Sequence, residues 1–511
     1  MSELNKTISP AALVAIGAAG VIGSSWLYLG SEFFSNFSVG GTIIGMIVAT
    51  ILAAFVALSY SELATRLPRA GGEVVYAFVA TNSLMSFIVG WLLIGAYVSI
   101  VAFYVTATGR LLSSVFPSLN SMPLYEIGGV VVYFPILAIG YLLTLLILAL
   151  NWYGAEMSSK VQLILFAIMA VFGAVVVFAG FSHGSVNNFF PLFDSALTGQ
   201  SPIASILSFV LPAFSFLTGF GVVVIMAEEV RASSKRIGQI VVLSVLLAGS
   251  FYILVLSATA WLLPWKETAA MTNGTIEAFN IAGMPIISKV AFAIGALGIA
   301  TTFIAVFSAS SRLMFALARV GLFPEAFSKL DPKTKSPRVA LIFTTVVGLG
   351  LGSLGPGALV WFLNIGGVYI GTVWAITVYA MFKIRKMYGN GEAPPGFWMT
   401  ALPIIGAVAA VGVVLAALIP TSPLSLLWPY EYLILVAWVG LGVLMYKLSP
   451  KRLSKEESLK ALLGEYYDQL KPKHGLKPES PNKVDEIETL YSAEPLESDT
   501  VGPAREVKPT L

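Results

Sequence analysis

The chain has 511 residues, of which 57% are hydrophobic and 11% charged, with a mean hydropathy of +0.85 and a net charge of +3. Soluble domains carry about a quarter charged residues, so this composition excludes an ordinary soluble protein and predicts one that lies in a lipid bilayer. The chain has no cysteine and only two histidines, which argues against disulfides, thiolate metal sites and imidazole chemistry. We therefore expect no enzyme activity, no catalytic residues, no metal and no cofactor, and nothing in the sequence indicates a nucleic-acid partner.

Apolar segments follow one another along most of the chain, each near the roughly 20 residues that a helix needs to cross a bilayer. In chain order these twelve segments are 9–31, 39–64, 84–112, 130–151, 159–181, 203–228, 238–264, 286–318, 338–354, 357–382, 401–420 and 427–447. Most lysines and arginines between them fall on one side, so the positive-inside rule places both termini in the cytoplasm. The sequence predicts an all-α polytopic membrane protein with about twelve transmembrane helices.

Glycines cluster in the first segment, where Gly17, Gly20 and Gly23 precede Ser24-Ser25-Trp26. A glycine inside a helix costs about 1 kcal/mol relative to alanine, so such a cluster marks backbone that need not stay helical. In lipid, non-helical backbone is tolerated only where it lines a protein-enclosed cavity. We expect a broken helix whose amides, near the bilayer midplane, hold an anionic group such as a carboxylate.

The sixth segment carries a second cluster, Thr218-Gly219-Phe220-Gly221, at its middle. Small residues also let helices pack closely, which is the structural alternative. The matching place of the two clusters, five helices apart, favours a transporter with inverted repeats and two broken helices.

The two clusters together define a predicted substrate site. The first cluster is expected to bind a carboxylate, and freed carbonyls of Phe214, Ser215 and Phe216 to accept hydrogen bonds from an ammonium group. Four aromatic residues, Trp26, Phe214, Phe216 and Phe220, are candidate gates, and the family resemblance described below leaves open whether Phe214 or Phe216 takes the outer-gate position. The predicted substrate-binding residues are Gly20, Ile22, Gly23, Ser24, Ser25, Trp26, Phe214, Ser215, Phe216, Thr218, Gly219, Phe220 and Gly221.

A few ionisable residues lie at the predicted cytoplasmic ends of the helices: Glu62, Arg66, Glu228, Glu229 and Arg312. Charges near lipid are costly and rarely without a role. Two interpretations stay open: a network of ion pairs that stabilises one conformation, or a gate that breaks and reforms during transport.

The composition changes sharply after the last apolar segment. Residues 448–511 are rich in Lys, Glu, Pro and Ser, which predicts a mostly disordered cytoplasmic tail with one short helix near Leu453 to Leu470. Residues 1–447 form the predicted membrane domain, divided into repeat one at about 9–181, repeat two at about 203–382 and peripheral helices at about 401–447.

Several strings resemble motifs of one transporter family, in the family's order. The string Gly20-Val21-Ile22-Gly23-Ser24-Ser25-Trp26-Leu27 is similar to the broken-helix signature of the amino acid-polyamine-organocation (APC) superfamily, and its spelling looks closest to the aspartate–proton symporter branch. Further matches are Tyr60-Ser61-Glu62-Leu63 with Leu67-Pro68-Arg69-Ala70-Gly71-Gly72, Gly219-Phe220 with Ala227-Glu228-Glu229-Val230, and Arg312 to Pro324 with Ser336-Pro337.

The resemblance implies a LeuT-like core of two inverted five-helix repeats plus two peripheral helices. It implies a secondary active amino acid permease of the plasma membrane that works by alternating access. A proton is the favoured coupling ion, but the helix-five lysine of some proton-coupled members corresponds to Met169 here, which leaves the proton-carrying residue open. A sodium-coupled carrier using hydroxyls such as Thr301 and Thr302, an amino acid exchanger, and an amino acid receptor signalling through the tail are the alternatives.

Overall fold

The computed structural model describes residues 6–23, 25–113, 115–388, 396–422, 424–449 and 453–470. The first helices are α1 (Pro10–Val21), α2 (Ser25–Tyr28), α3 (Gly30–Arg66), α4 (Glu73–Ala80) and α5 (Ser83–Ser113). A hairpin of β1 (Pro123–Ile127) and β2 (Val130–Tyr133) comes next, before α6 (Phe134–Trp152), α7 (Ala155–His183), α8 (Ser195–Thr198), α9 (Pro202–Leu217) and α10 (Gly221–Ile225).

The second half of the chain is also helical. Its helices are α11 (Ser234–Leu262), α12 (Trp265–Ala269), α13 (Gly274–Ile281), α14 (Pro285–Arg319), α15 (Arg338–Gly352), α16 (Leu359–Tyr388), α17 (Trp398–Leu418), α18 (Tyr430–Leu448), α19 (Lys455–Leu463) and α20 (Tyr467–Leu470).

Ten helical segments among the described residues are long and apolar enough to cross a membrane, and α1 and α15 are shorter apolar helices. Together they account for the twelve predicted segments, so the all-α polytopic fold is confirmed. The start of α1 shows why the sequence folds this way: the Ser9 hydroxyl accepts a hydrogen bond from the Ala12 amide, and Pro10 occupies the first helical position.

Two predicted boundaries differ from the structure. The fourth segment begins at Phe134 rather than 130, because Val130–Tyr133 pairs with β1 in an antiparallel hairpin closed by Gly128 and Gly129 at positive φ. The second segment is longer than expected: α3 runs from Gly30 to Arg66 and bends at Ser38, whose φ of 55° is not helical.

Burial distinguishes the centre of the helix bundle from its rim. The sixth segment consists of α9, a 3-10 turn at Thr218–Phe220 and α10. The most apolar 18 residues of this segment are all buried, and 78% of the most apolar 18 residues of α5 are buried. Of the most apolar 18 residues, 17% are buried in α18 and 33% in α17. The sixth segment and α5 therefore form the centre, while α17 and α18 expose apolar surface that suits lipid.

The predicted short helix after the last span exists as α19, which starts with a capping box between Ser454 and Glu457. Leu459, Leu462 and Leu463 on it are buried, and the Arg69 Nε donates a hydrogen bond of 3.0 Å to the Leu462 carbonyl. The buried side of α19 therefore packs on the bundle near Arg69. The rest of the predicted disordered tail, 471–511, lies outside the described residues.

Candidate substrate site and cytoplasmic gate

The two glycine clusters meet at the centre of the bundle. A side-chain carbon placed on Gly219 would lie 2.1 Å from the carbonyl carbon of Gly20, so only glycine fits at this crossing. The backbones of α1 and the sixth segment are therefore in direct contact.

The first helix is interrupted after Val21, where Ile22 has a non-helical ψ of 88°. The Gly23 amide donates to the Tyr252 hydroxyl at 2.7 Å, and the same hydroxyl donates to the Val21 carbonyl at 2.8 Å. Tyr252 lies on α11, so a distant helix pairs the backbone groups that the interruption frees.

Two further side chains bind the same stretch of backbone. The Thr302 hydroxyl on α14 lies 2.8 Å from the Ala19 carbonyl and 3.2 Å from the Ile22 carbonyl. The Trp26 indole donates to the Gly23 carbonyl at 3.0 Å. The polar backbone expected to bind substrate is thus paired within the protein, which is the pattern of a closed site.

The sixth segment is tightened rather than unwound at its glycines. It passes from α9 into the 3-10 turn and back into α10, with helical dihedral angles at Thr218, Phe220 and Gly221. The Thr218 hydroxyl donates to the Phe214 carbonyl at 3.1 Å, and the Thr218 amide donates to the Ser215 carbonyl. In this conformation both carbonyls therefore already accept a hydrogen bond within the segment, and their expected role toward an ammonium group stays a prediction.

A cavity of about 20 Å³ lies between the two interruptions. It is far too small for an amino acid, so the site is occluded. Among the described residues no charged side chain lines it, and its lining residues are Gly20, Val21, Ile100, Phe103, Tyr104, Ser215, Phe216, Tyr252, Thr302 and Leu363.

The predicted site residues fall into three groups. Gly20, Ser215 and Phe216 line the cavity directly. Ile22, Gly23 and Trp26 form its edge through the hydrogen bonds given above, and Gly219 fixes the helix crossing. Ser24 and the side chain of Ser25 lie outside the described parts of the structure.

The aromatic candidates separate by position. The Phe216 ring packs 5.6 Å from the Tyr252 ring beside the cavity. Phe214 and Phe220 instead pack on Trp374 of α16, at 4.9 and 5.5 Å between ring centroids. Of the two residues that the sequence left open as outer gate, Phe216 is the one that lines the cavity, and the assignment of the gate stays a prediction.

Sequence reasoning missed Tyr104 and Tyr252. A side-chain carbon on Gly23 would lie 2.1 Å from the Tyr104 hydroxyl, so this tyrosine closes the site from α5. Tyr252 is the single tyrosine of α11 and Tyr104 is one of two tyrosines on α5, and the sequence around them carries no signal that would have identified them.

The charges that the sequence predicts on the cytoplasmic side form ion pairs between different segments of the chain. Arg312 of α14 donates through Nε to Glu229 at 2.9 Å, and the arginine is only 1% exposed. Its Nη1 also donates to the Ser311 hydroxyl at 3.0 Å. A guanidinium buried this deeply requires such partners, so the pair holds α14 against the end of the sixth segment.

Glu228, the neighbouring carboxylate, joins three elements. It pairs with Arg319 at 3.2 Å and Arg69 at 3.6 Å, and it accepts from the Ala70 amide at 3.1 Å. Burial alone would raise the pKa of Glu228, but the combined opposite effect of Arg319 and Arg69 is larger. The pKa of this carboxyl therefore lies below its ordinary range.

Glu62 links α3 to α16. It pairs with Arg66 at 3.0 Å, as the spacing of four residues predicts, and with Arg385 at 2.9 Å. One set of pairs ties α3 to α16, and the other ties α14 and the 69–70 loop to the end of the sixth segment. We name the three carboxylates and their arginines the cytoplasmic gate, after the side and the role that the sequence predicts for them.

A much larger cavity, about 680 Å³, lies at the β-hairpin end of the bundle. Glu32 and Arg110 line it and form an ion pair at 3.8 Å, and Trp361, Asn364 and Glu431 line it as well. The molecule thus has a wide cavity at one end, a small cavity at its centre and ion pairs at the other end.

Comparison with known proteins identifies the family. The amino acid permease family model matches residues 12–454. The branched-chain amino acid permease BcaP of Bacillus subtilis (strain 168) is 24% identical over 461 residues, which cover 89% of this chain and 95% of that protein.

Two other relatives have different substrates in their names. The methylthioribose transporter of Bacillus subtilis (strain 168) is 25% identical, over 88% of this chain and 94% of that protein. The cationic amino acid transporter 4 of Mus musculus is 24% identical, over 74% of this chain and 60% of that protein. With the family model matching most of its length, the chain belongs to the amino acid permease family of the APC superfamily, whose members are multi-pass membrane transporters.

Proposed function

We propose that this protein is a secondary active transporter that takes up an amino acid together with a proton, by alternating access. The observation that carries the proposal is the interrupted first helix, which lies between an occluded cavity and a cytoplasmic gate of buried ion pairs. The proposed location is the plasma membrane with both termini in the cytoplasm, because lysine and arginine concentrate on that side.

The arrangement of cavities supports alternating access. The 680 Å³ cavity lies at the end opposite to the gate, where the charge distribution predicts the outside. A substrate entering there meets Phe216 and the central cavity, and the gate beyond is closed by Arg312, Arg319 and Arg385. Opening the gate while the outer path closes would release substrate into the cytoplasm.

The lining of the central cavity favours a neutral amino acid. Its side chains are aliphatic, aromatic or hydroxyl-bearing, so a charged substrate side chain would be buried without a partner. The substrate carboxylate would replace the Tyr252 hydroxyl as the acceptor of the hydrogen bond that the Gly23 amide donates. The aspartate branch that the first-helix spelling resembles would need a basic side chain here, and a branched-chain substrate, as in the name of one relative, fits the lining better.

The alternatives require other features of the same site. Sodium coupling would use the carbonyls of Ala19 and Ile22 with the Thr302 hydroxyl, which here donates to those carbonyls. Exchange without an ion needs no further group. A receptor would need the tail for its output.

Ligand binding is the first test. A ligand that binds only the folded protein stabilises it, by about 2.7 kcal/mol at 100 times its Kd. We expect a panel of common amino acids and polyamines to show that a neutral, apolar amino acid raises the melting temperature of the purified protein. The variant Gly23→Trp, which fills the site, should show no shift. Stabilisation by acidic or cationic compounds alone would contradict the substrate class.

Flux measurements then separate the mechanisms. Protein in liposomes should accumulate the labelled ligand when the outside is acidic, and a protonophore should abolish the accumulation. Accumulation that needs a sodium gradient, or uptake only into vesicles preloaded with substrate, would establish one of the alternatives. A chain truncated after Leu470 should transport normally, whereas a receptor would lose its output.

A further inference from the structure

A buried carboxyl lies beside the sixth segment, outside the gate and the cavity. Glu73, the first residue of α4, is 1% exposed, and among the described residues neither carboxyl oxygen makes a hydrogen bond of ordinary geometry, although the Tyr60 hydroxyl lies close enough to interact with it. None of the ion pairs that the described residues form involves it. A buried charge without a partner is very unfavourable, so the carboxyl is neutral in this conformation.

The loop that precedes Glu73 places its carboxyl against α10. Gly72 has a φ of +38°, and a side-chain carbon there would lie 2.7 Å from Val224, so glycine is required for this approach. The Gly71 amide donates to the Ile225 carbonyl at 3.2 Å. A side-chain carbon on Gly221 would lie 2.8 Å from Glu73 Oε1, which shows how closely the carboxyl faces the sixth segment.

Three tyrosines are the titratable groups that face this carboxyl. Tyr60 comes from α3, Tyr76 from α4 itself and Tyr97 from α5. On the α10 side Gly221 lies against the carboxyl, and α16 contributes Thr377, which donates to the Tyr60 hydroxyl. Burial raises the pKa of Glu73, which precedes the third span, to about 8, against a smaller lowering by hydrogen bonds from its own backbone and from Tyr60, and no arginine or lysine of the described residues contributes.

The same loop connects Glu73 to the cytoplasmic gate. Three residues earlier, the Ala70 amide binds Glu228, and Arg69 pairs with the same carboxylate. Movement of the end of the sixth segment away from this loop would break these contacts and admit water to Glu73. Water stabilises the ionised carboxylate, so opening the gate would favour release of a proton.

We propose that Glu73 is the group that carries the coupled proton. Glu73 binds one proton when the gate is closed, and the neutral carboxyl fits its apolar, tyrosine-lined site. When the gate opens, the carboxyl releases that proton to cytoplasmic water and becomes the carboxylate. This inference rests on the proposed proton-coupled transport. It names the proton-carrying residue, which the sequence left open because Met169 stands where some members of the family have a lysine.

The test compares Glu73→Gln with the parent in liposomes, using tritiated L-valine or, if it differs, the strongest ligand of the binding panel. The glutamine has the shape of the neutral carboxyl but cannot release a proton. We expect accumulation driven by a pH gradient to fall by about tenfold or more, the size of a typical coupling. Exchange of labelled for unlabelled substrate should remain measurable, and Glu73→Asp should restore part of the accumulation.

Glu325→Gln is the matched control, because Glu325 is an exposed carboxylate outside the spans and its loss should leave accumulation unchanged. Gradient-driven accumulation by Glu73→Gln at the parent's level would overturn the role of Glu73 and leave proton-coupled transport standing. Loss of exchange together with accumulation in a folded Glu73→Gln protein would show a structural role and overturn the inference as well. A parent that moves no label under any gradient would instead refute the proposed function, and the inference with it.

Discussion

Gly219 packs directly on the peptide of Gly20, so close that a methyl group on Gly219 would overlap the backbone of α1. This contact brings the two glycine clusters together and sets the width of the central cavity, which Gly20 lines. The glycines therefore form a packing contact and part of the site at the same time. From the sequence alone, packing and binding were two alternative interpretations of the cluster.

Gly219→Ala should lower both stability and transport. The added methyl meets rigid backbone, and overpacking of this kind costs about 1–3 kcal/mol. The control is Gly412→Ala on α17, where nothing lies within 4 Å and alanine should be neutral or stabilising by up to about 1 kcal/mol. Melting temperature and uptake rate measure both effects, and a Gly219→Ala protein as stable and active as the parent would contradict the direct contact.

Tyr252→Phe should weaken the closed site. The hydroxyl bonds to the Gly23 amide and to the Val21 carbonyl, which also bond to each other at 2.9 Å, so its loss removes two hydrogen bonds worth about 0.5–1.5 kcal/mol each. We expect a lower melting temperature without substrate and a smaller loss with substrate bound, because the carboxylate would take over the Gly23 amide. Tyr379→Phe, at an exposed position of α16, is the control. An equal loss in both states would argue against the exchange of partners.

The cytoplasmic gate can be tested with a single introduced cysteine, because the chain has none of its own. Val224→Cys places the thiol on α10, where the native side chain is fully buried. Adding Arg312→Met breaks the buried pair with Glu229, a change that typically costs about 3–5 kcal/mol.

Maleimide should therefore label the introduced thiol faster by about tenfold or more in the Arg312→Met background, as the open gate becomes more populated. Arg312→Lys should restore part of the protection. The control Lys266→Met removes an exposed pair with Asp194 at the opposite end and should leave labelling unchanged. Equal labelling with and without Arg312 would show that the ion pairs do not hold this end closed.

The sequence predicted what local patterns determine. Length and hydropathy indicated the twelve segments, the glycine cluster indicated the interruption after Val21, and the spacing of four indicated the Glu62–Arg66 pair. It did not predict the partners that come from distant helices. Tyr252 binds a backbone 229 residues away, and Arg385 binds a carboxylate 323 residues away. Such contacts depend on how the helices pack, and neither residue has a local signature.

Glu73 shows a different kind of limit. It directly follows the Leu67–Gly72 motif that the sequence analysis singled out, yet an acidic residue next to a loop is normally exposed. Only the conformation of Gly71 and Gly72, both at positive φ, turns its side chain into the bundle. The division into repeats at 9–181 and 203–382 stays a prediction.

Stability should depend on pH through Glu73. The carboxyl has a pKa of 4.5 as a free side chain and about 8 in the folded protein, so the folded state binds the proton more tightly. The stabilisation is complete below pH 4.5 and is lost as pH rises toward 8, with a slope of up to about 1.4 kcal/mol per pH unit. Melting temperatures between about pH 5 and 8 should fall less in Glu73→Gln than in the parent or in Glu325→Gln. Parallel pH curves for all three proteins would refute the raised pKa.

Removing α19 should loosen the gate without abolishing transport. Arg69 donates to the Leu462 carbonyl while it pairs with Glu228, so α19 holds this arginine in place. One such hydrogen bond contributes about 1 kcal/mol, which corresponds to about fivefold in the population of the open gate. In the Val224→Cys background, a chain ending at Leu448 should therefore react with maleimide about fivefold faster than one ending at Leu470, which keeps α19. If both truncated chains label at the rate of the full chain, α19 is only a packed extension, and the gate is held by its ion pairs alone.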